Sequence, residues 1–285
     1  MSYVLLSVIC SVLVSVLLKM ARRFDVDVGQ AIGWNYVVAS VLTASMLQPS
    51  LASLRAPGVP WLALLGLGLL LPTIFLALAA AVRHAGIVRS DAAQRLSLLI
   101  SLLAAFALFG EQVTALKLGG IALGLLSLLC MVWRAPVAAS AERRAVWLYP
   151  VTVLLGFAAI DILFKRVALA GVSLGTSLQA MFALALWVSL LLQAGRRWRG
   201  QTRFTARSAV AGLALGLANF GNILFYLRGH RALPQHPTLV FAGMNIGVVA
   251  LGAVVGLLLF GERLSRLNLA GVLLAVLAIG VIARG

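Results

Sequence analysis

The chain has 285 residues, of which 62% are hydrophobic and only 11% charged, with a mean hydropathy of +1.08. Soluble domains run at roughly half apolar and a quarter charged, and disordered chains are polar and highly charged, so both classes are excluded. The 23 Lys and Arg against 7 Asp and Glu leave a formal charge of +16; on a chain this apolar, such an excess belongs to the loops of a membrane protein and not to a nucleic-acid surface.

A helix needs about 20 apolar residues to cross ~30 Å of hydrocarbon. Ten such runs are predicted, at 2–18, 30–48, 60–82, 87–108, 114–133, 147–167, 171–194, 208–227, 236–260 and 267–283. The first reads as a retained helix, because its basic residues follow the apolar run instead of preceding it as they do in a secretory leader. The connections are short and several carry Pro or clustered charge, as in Arg55-Ala56-Pro57-Gly58 and the stretch from Arg196 to Arg203. No extramembrane domain fits between them. Cys10 and Cys130 both lie inside apolar runs, so neither a disulfide framework nor a metal site is expected.

The basic residues divide between two alternating sets of loops. Connections 1–2, 3–4, 5–6, 7–8 and 9–10 hold fifteen of the 23, the opposite side holds seven, and Arg95 alone lies within a span. By the positive-inside rule the richer set faces the cytoplasm and both termini lie outside. The expected location is the bacterial inner membrane.

The strongest signal is internal repetition. Residues 109–120, Phe-Gly-Glu-Gln-Val-Thr-Ala-Leu-Lys-Leu-Gly-Gly, recur as 260–271, Phe-Gly-Glu-Arg-Leu-Ser-Arg-Leu-Asn-Leu-Ala-Gly, with six of twelve positions identical at an offset of 151. Leu17, Lys19, Val26 and Gly29 echo as Leu163, Lys165, Val172 and Gly175 at an offset of 146. Matching leucines are cheap in apolar helices; a repeated Phe-Gly-Glu at one distance from Leu-x-Leu-x-Gly is not. The expected organisation is a first five-helix repeat at 1–135, a linker at 136–145 and a second repeat at 146–285. An odd number of crossings inverts the second copy, so the fold class is all-α integral membrane, with ten transmembrane helices as two inverted five-helix repeats. Secondary transporters are built this way, with the substrate site near the midplane between the repeats.

Ten helices in 5+5 form, a Gly-Glu turn after helices 4 and 9, and Lys19 and Lys165 at the ends of helices 1 and 6 resemble the EamA-like branch of the drug/metabolite transporter superfamily. The resemblance implies export, or in some members uptake, of small metabolites such as amino acids. It also implies a central cavity walled by helices 1–4 and 6–9, with helices 5 and 10 peripheral.

Polar groups are costly in hydrocarbon, so each one inside a span has a partner or a task. Asp91 and Arg95 stand four apart on helix 4: they read as a local ion pair, or Arg95 meets a substrate carboxylate. Gln94 lies one repeat length from Asn245, putting two amides at equivalent depths on helices 4 and 9, each able to donate and accept. Asp161 is four residues from Lys165 on helix 6, where an ion pair near the membrane edge is the plainer reading and proton coupling the sharper one; Asp91 is the other candidate for coupling. Asn219, Asn222 and Tyr226 share one face of helix 8 and suggest a wet wall. Asn35, between Trp34 and Tyr36, adds a polar group on helix 2. Glu111 and Glu262, in the repeated turn, read as structural helix-end residues. Pro72 and Thr73 predict a kink in helix 3. Trp61, Trp133, Trp147 and Trp198 fall at span ends as interfacial anchors. Gly120/Gly124, Gly243/Gly247 and Gly252/Gly256 have the small-xxx-small spacing of close helix contacts.

These features predict a secondary transporter, not an enzyme, moving small polar or amphipathic metabolites by alternating access. Amino-acid export is the leading activity, with an uptake or multidrug permease as the alternative. A membrane transferase would need clustered Asp or a His-Asp pair within a span or loop, and none is present. No phosphate-binding loop occurs either. The expected partners are a small-molecule metabolite and membrane lipids, with no cofactor and no nucleic acid, in a monomer or homodimer.

Overall fold

The computed structural model describes residues 1–55, 58–85, 87–132, 143–202, 204–260 and 266–284. Among them the chain forms ten α-helices and no strand: α1 Ser2–Arg23, α2 Val28–Leu47, α3 Trp61–Ala85, α4 Ile87–Ala107, α5 Ala115–Val132, α6 Arg143–Leu169, α7 Leu174–Trp198, α8 Ala206–Ala232, α9 Pro237–Phe260 and α10 Arg266–Arg284. A single 3₁₀ turn, Leu51–Arg55, follows α2. Each of the ten apolar runs becomes a helix. Four of these helices contain a stretch long and apolar enough to cross a membrane by that measure alone: Trp61–Leu78, Leu174–Trp198, Ala206–Ala232 and Pro237–Leu259.

Several helices outrun their apolar stretch. α1 continues to Arg23, α7 to Trp198 and α8 to Ala232, because Lys and Arg are good helix formers whose long stems let the charge reach water. The chain turns where specific residues stop it. Gly171 and Gly200 take positive φ after α6 and α7, and Asp25 and Gln48 do so after α1 and α2. Asp27, Ser173 and Thr205 then cap α2, α7 and α8, accepting the backbone N–H of Gln30, Thr176 and Ser208.

The helices pair in matched sets. α1 packs on α8 as α6 packs on α3; α2 on α8 as α7 on α3; α4 on α6 as α9 on α1. α2 meets α7, and α5 meets α10 in the most extensive pairing of all, at the edge of the assembly. The interior is close-packed around Tyr36, Leu64, Leu67, Met181, Phe182 and Phe241. Leu62, Leu191 and Leu258 stand outward and exposed, as expected of surfaces that meet lipid instead of water. Trp61 and Trp198 are exposed at helix ends, consistent with interfacial anchors. Trp133 and the Trp147 side chain lie outside the described residues.

Loops join across the bundle in two groups. At one end the 1–2 and 7–8 connections meet: Arg196 donates both terminal nitrogens to Asp27, at 3.0 and 3.1 Å, and Thr202 donates to the same carboxylate at 2.7 Å. Gln30 also binds the backbone of Thr205 through both amide atoms. At the other end Thr176 binds both backbone groups of Ser50, linking the 6–7 and 2–3 connections. These are the loop sets into which the basic residues divide.

Burial pushes the Asp27 carboxyl up, but the hydrogen bonds from Arg196, Thr202 and the Gln30 N–H outweigh it and hold it below its ordinary value. Stability from such a group is present above the ordinary carboxylate range and is lost as pH falls through the lowered value. Asp27→Asn should therefore lower stability by about 1 kcal/mol at neutral pH, a partly solvated pair being screened. The gap should close on acidification below pH ~4. Thermal unfolding of both proteins between pH 3 and pH 7 measures it; a gap independent of pH would count against the ion pair.

Candidate functional site

Six helices, α1, α3, α4, α6, α8 and α9, line a partly open cavity of about 120 Å³. Gln94 from α4, Asp161 from α6, Asn219, Asn222 and Tyr226 from α8, and Asn245 from α9 all stand on its wall. Gln94 and Asn245, paired in the sequence by the repeat, thus line one space. Ser11 and Ser97 add hydroxyls, while Phe75, Phe157, Phe164 and Met244 supply apolar surface. α2 and α7 supply none of the lining. They pack on each other, and the cavity is lined by six helices where the resemblance implied eight.

Asp161 is held by donors from other helices. Tyr226 gives its phenolic O–H to Oδ1 at 2.7 Å and Ser101 of α4 gives its hydroxyl to Oδ2 at 2.8 Å. The Asn245 side chain lies against the same carboxylate. Two O–H donors suit the ionised, acceptor-only form and knit α4, α6 and α8 together at the cavity. The expected Asp161–Lys165 pair does not form. Lys165, one turn further along, is fully buried and donates to the Pro234 carbonyl at 2.8 Å, with Glu111 nearby. The spacing permits a local pair, but each group finds closer partners across the bundle.

The amides divide their work. Asn222 Oδ1 accepts from Ser7 of α1 at 2.9 Å, so this residue joins two helices as well as lining the cavity. Asn245 Nδ2 donates to Phe241 O within α9 at 3.1 Å. Asn219 Nδ2 is buried without a partner, and a buried amide donor left unpaired is costly unless a ligand or water accepts its hydrogen bond. Asn35 does not line the cavity. It is buried where α2 meets α8, with its backbone against Gly216. The side chains of Asp91 and Arg95 lie outside the described residues.

A larger crevice of about 440 Å³ opens between the end of α1 and the starts of α2 and α8. Its walls, including Leu17, Phe24, Val26 and Val210, are hydrocarbon apart from Arg207. It holds no set of polar groups that could distinguish one metabolite from another. The central cavity does.

One end of the cavity is backed by aromatic rings. His230, one turn past Tyr226, is fully buried and packs edge-on to Tyr226 and Phe241, with centroids 4.7 and 4.9 Å apart. Beyond it the 4–5 turn locks onto α9: Gly110 takes φ +65°, and Glu111 then accepts the Thr238 N–H at 2.8 Å and its hydroxyl at 2.6 Å. The Lys117 ammonium stands 3.1 Å from Glu111 Oε1, off the axis of a hydrogen bond, so that contact is ionic. Glu111 is therefore a structural residue that closes the N-terminus of α9. The equivalent turn at 261–265, with Glu262, lies outside the described residues.

The sequence pattern of the EamA-like transporter family matches residues 1–133. A solved crystal structure shares the fold, with a TM-score of 0.72 at 18% identity, covering 98% of this chain and 96% of its own. An uncharacterised protein of Haemophilus influenzae is 40% identical over 284 residues, 98% of this chain and 96% of the relative. The chain belongs to the EamA-like transporter family. It is accordingly a multi-pass membrane protein of a transporter family and not of an enzyme family.

In this EamA-like chain, sequence reasoning named Tyr226 but missed Phe75, Phe157, Phe164 and Met244 on the cavity wall and the buried His230. A phenylalanine in an apolar helix carries no mark of facing a cavity. Nothing local in the sequence ties the Ser101 hydroxyl to Asp161, 60 residues away.

Proposed function

We propose that the chain is a secondary transporter that carries a small polar or amphipathic metabolite through the central cavity by alternating access. Its two five-helix halves work as inverted repeats. Export of amino acids or related metabolites from the cytoplasm across the bacterial inner membrane is the activity this reading favours. The carrying observation is the convergence of Gln94, Asn245, Asn219, Asn222, Tyr226 and Asp161 on one cavity between six helices. Matched helix pairings across the halves support the inverted repeat, because alternating access requires two halves that can exchange arrangements around a fixed site. Asp161, the acid on the cavity wall, is the residue through which such a carrier would couple to protons; without that coupling it runs down the metabolite gradient. The excess of basic residues in connections 1–2, 3–4, 5–6, 7–8 and 9–10 favours both termini outside, and a reporter active only in the cytoplasm should be silent when fused after Arg284.

Counterflow of labelled metabolites into proteoliposomes tests the reading. Gln94→Ala and Asn245→Ala should each weaken exchange by about tenfold, the loss of one ligand hydrogen bond, while leaving thermal unfolding near that of the parent. Unchanged kinetics in both variants would remove these residues from the site. No flux with any metabolite pool would remove the transport reading itself.

A further inference from the structure

We propose that the cavity selects a small amphipathic amine, bound as its ammonium by Asp161, over the matching zwitterion or acid. The inference rests on the transport reading of the cavity but departs from its amino-acid arm, placing the cargo among the related amines instead.

The argument starts from charge. Among the described residues that line the cavity, Asp161 is the one ionisable acid or base apart from the Tyr226 phenol; the other polar groups there are amides and hydroxyls. A carboxylate in a low-dielectric space favours a cation strongly and repels an anion. Its two oxygens each accept one hydroxyl, from Tyr226 and Ser101, and the Asn245 side chain lies against it; a carboxylate has about four acceptor sites, so at least one is left. The group is thus fixed in place yet able to take a further N–H donor. An ammonium offers three such donors on a compact charge.

The rest of the wall fits the remainder of such a molecule. Phe157, Phe164 and Tyr226 give aromatic surface, with Phe164 and Tyr226 in an edge-on pair at 5.6 Å. Aromatic faces attract a cation and shelter an apolar body. The unpaired Asn219 Nδ2 offers one neutral donor, enough for a hydroxyl or ether oxygen. A neutral amide N–H does not offset the repulsion between a ligand carboxylate and Asp161. The cavity therefore meets the amine half of an amino acid and disfavours its acid half.

The test is counterflow in proteoliposomes with three probes of one skeleton: phenethylamine, phenylalanine and phenylacetate. Protein-free liposomes, at a pH where the amine is protonated, give the baseline. Exchange of phenethylamine at least about tenfold faster than either other probe is expected, with Asp161→Asn reducing it by a similar factor and Asp161→Glu restoring part of it. Thermal unfolding of the variants in detergent checks that they are folded. If Asp161→Asn unfolds, saturable binding of phenethylamine to the parent, competed by other primary amines and not by phenylacetate, decides the class instead. Exchange of phenylalanine or phenylacetate as fast as phenethylamine overturns the amine class and leaves transport standing, as does full activity in folded Asp161→Asn. If none of the three moves, the amine class falls; exchange of solutes from a broad metabolite pool then still upholds transport, and its absence ends both.

Discussion

Glu111→Gln is expected to destabilise the protein by about 3 kcal/mol or more, the usual cost of removing one partner from a buried ion pair. The side chains of Glu111 and Lys117 are 0% and 5% exposed, and their charged atoms lie 3.1 Å apart. Glutamine keeps an oxygen for the Thr238 N–H and hydroxyl, so the cap on α9 survives in outline. What it loses is the negative charge. Lys117, which also donates to the Gln112 carbonyl at 3.2 Å, is left buried as an unbalanced cation, and the nearby Lys165 loses the same counter-charge. Thermal unfolding in detergent should show a large drop for Glu111→Gln, a comparable one for Lys117→Met, and a double variant well above the sum of the two. Additive effects would mean that the two groups act separately. A change within about 0.5 kcal/mol for Glu111→Gln, the range of an ordinary surface substitution, would show that the Thr238 contacts alone hold the 4–5 turn to α9.

That prediction marks the limit of what the sequence discloses. The repeated Phe-Gly-Glu pointed to a helix-end role for Glu111, but its partner Thr238 is 127 residues away, and no local pattern carries that distance. The same divide runs through the site. Asn219, Asn222 and Tyr226 were legible because a helix writes its faces into three- and four-residue spacing. Gln94 and Asn245 were legible because duplication writes depth into the numbering. Asp161 was misread because spacing of four suggested Lys165, whereas its donors sit on α4 and α8. Asn35 was misread for a related reason: an amide inside a span is equally at home in a helix contact or a cavity, and only the position of α8 decides which. The ten helices themselves follow from apolar length alone, which needs no partner to be recognised.

Gly216→Ala should disturb both folding and transport, although it adds a single methyl group. A Cβ at position 216 would lie 2.7 Å from the Val38 Cβ, 2.9 Å from the Asn35 carbonyl oxygen and 3.1 Å from the Asn35 Cα. One turn earlier, a Cβ at Gly212 would meet the Ala31 carbonyl oxygen at 2.7 Å. Main-chain atoms cannot swing aside as a flexible side chain can, so α2 and α8 must separate. Overpacking of this kind costs typically about 1–3 kcal/mol. The separation would also move Asn219, Asn222 and Tyr226, which ride on α8 one to three turns further along, away from Asp161 and the cavity wall. Gly252 supplies the control, since a Cβ there meets nothing within 4 Å; its small-xxx-small spacing with Gly256 carries no close contact at that end. Gly120, by contrast, does sit tight against α10, where a Cβ would be 2.5 Å from Ile282. Gly252→Ala should unfold within about a degree of the parent and transport normally, while Gly216→Ala unfolds several degrees lower and exchanges substrate more slowly even where it remains folded. Equal behaviour of the two variants would mean that the α2–α8 approach can relax without cost, and that the position of the α8 amides does not depend on it.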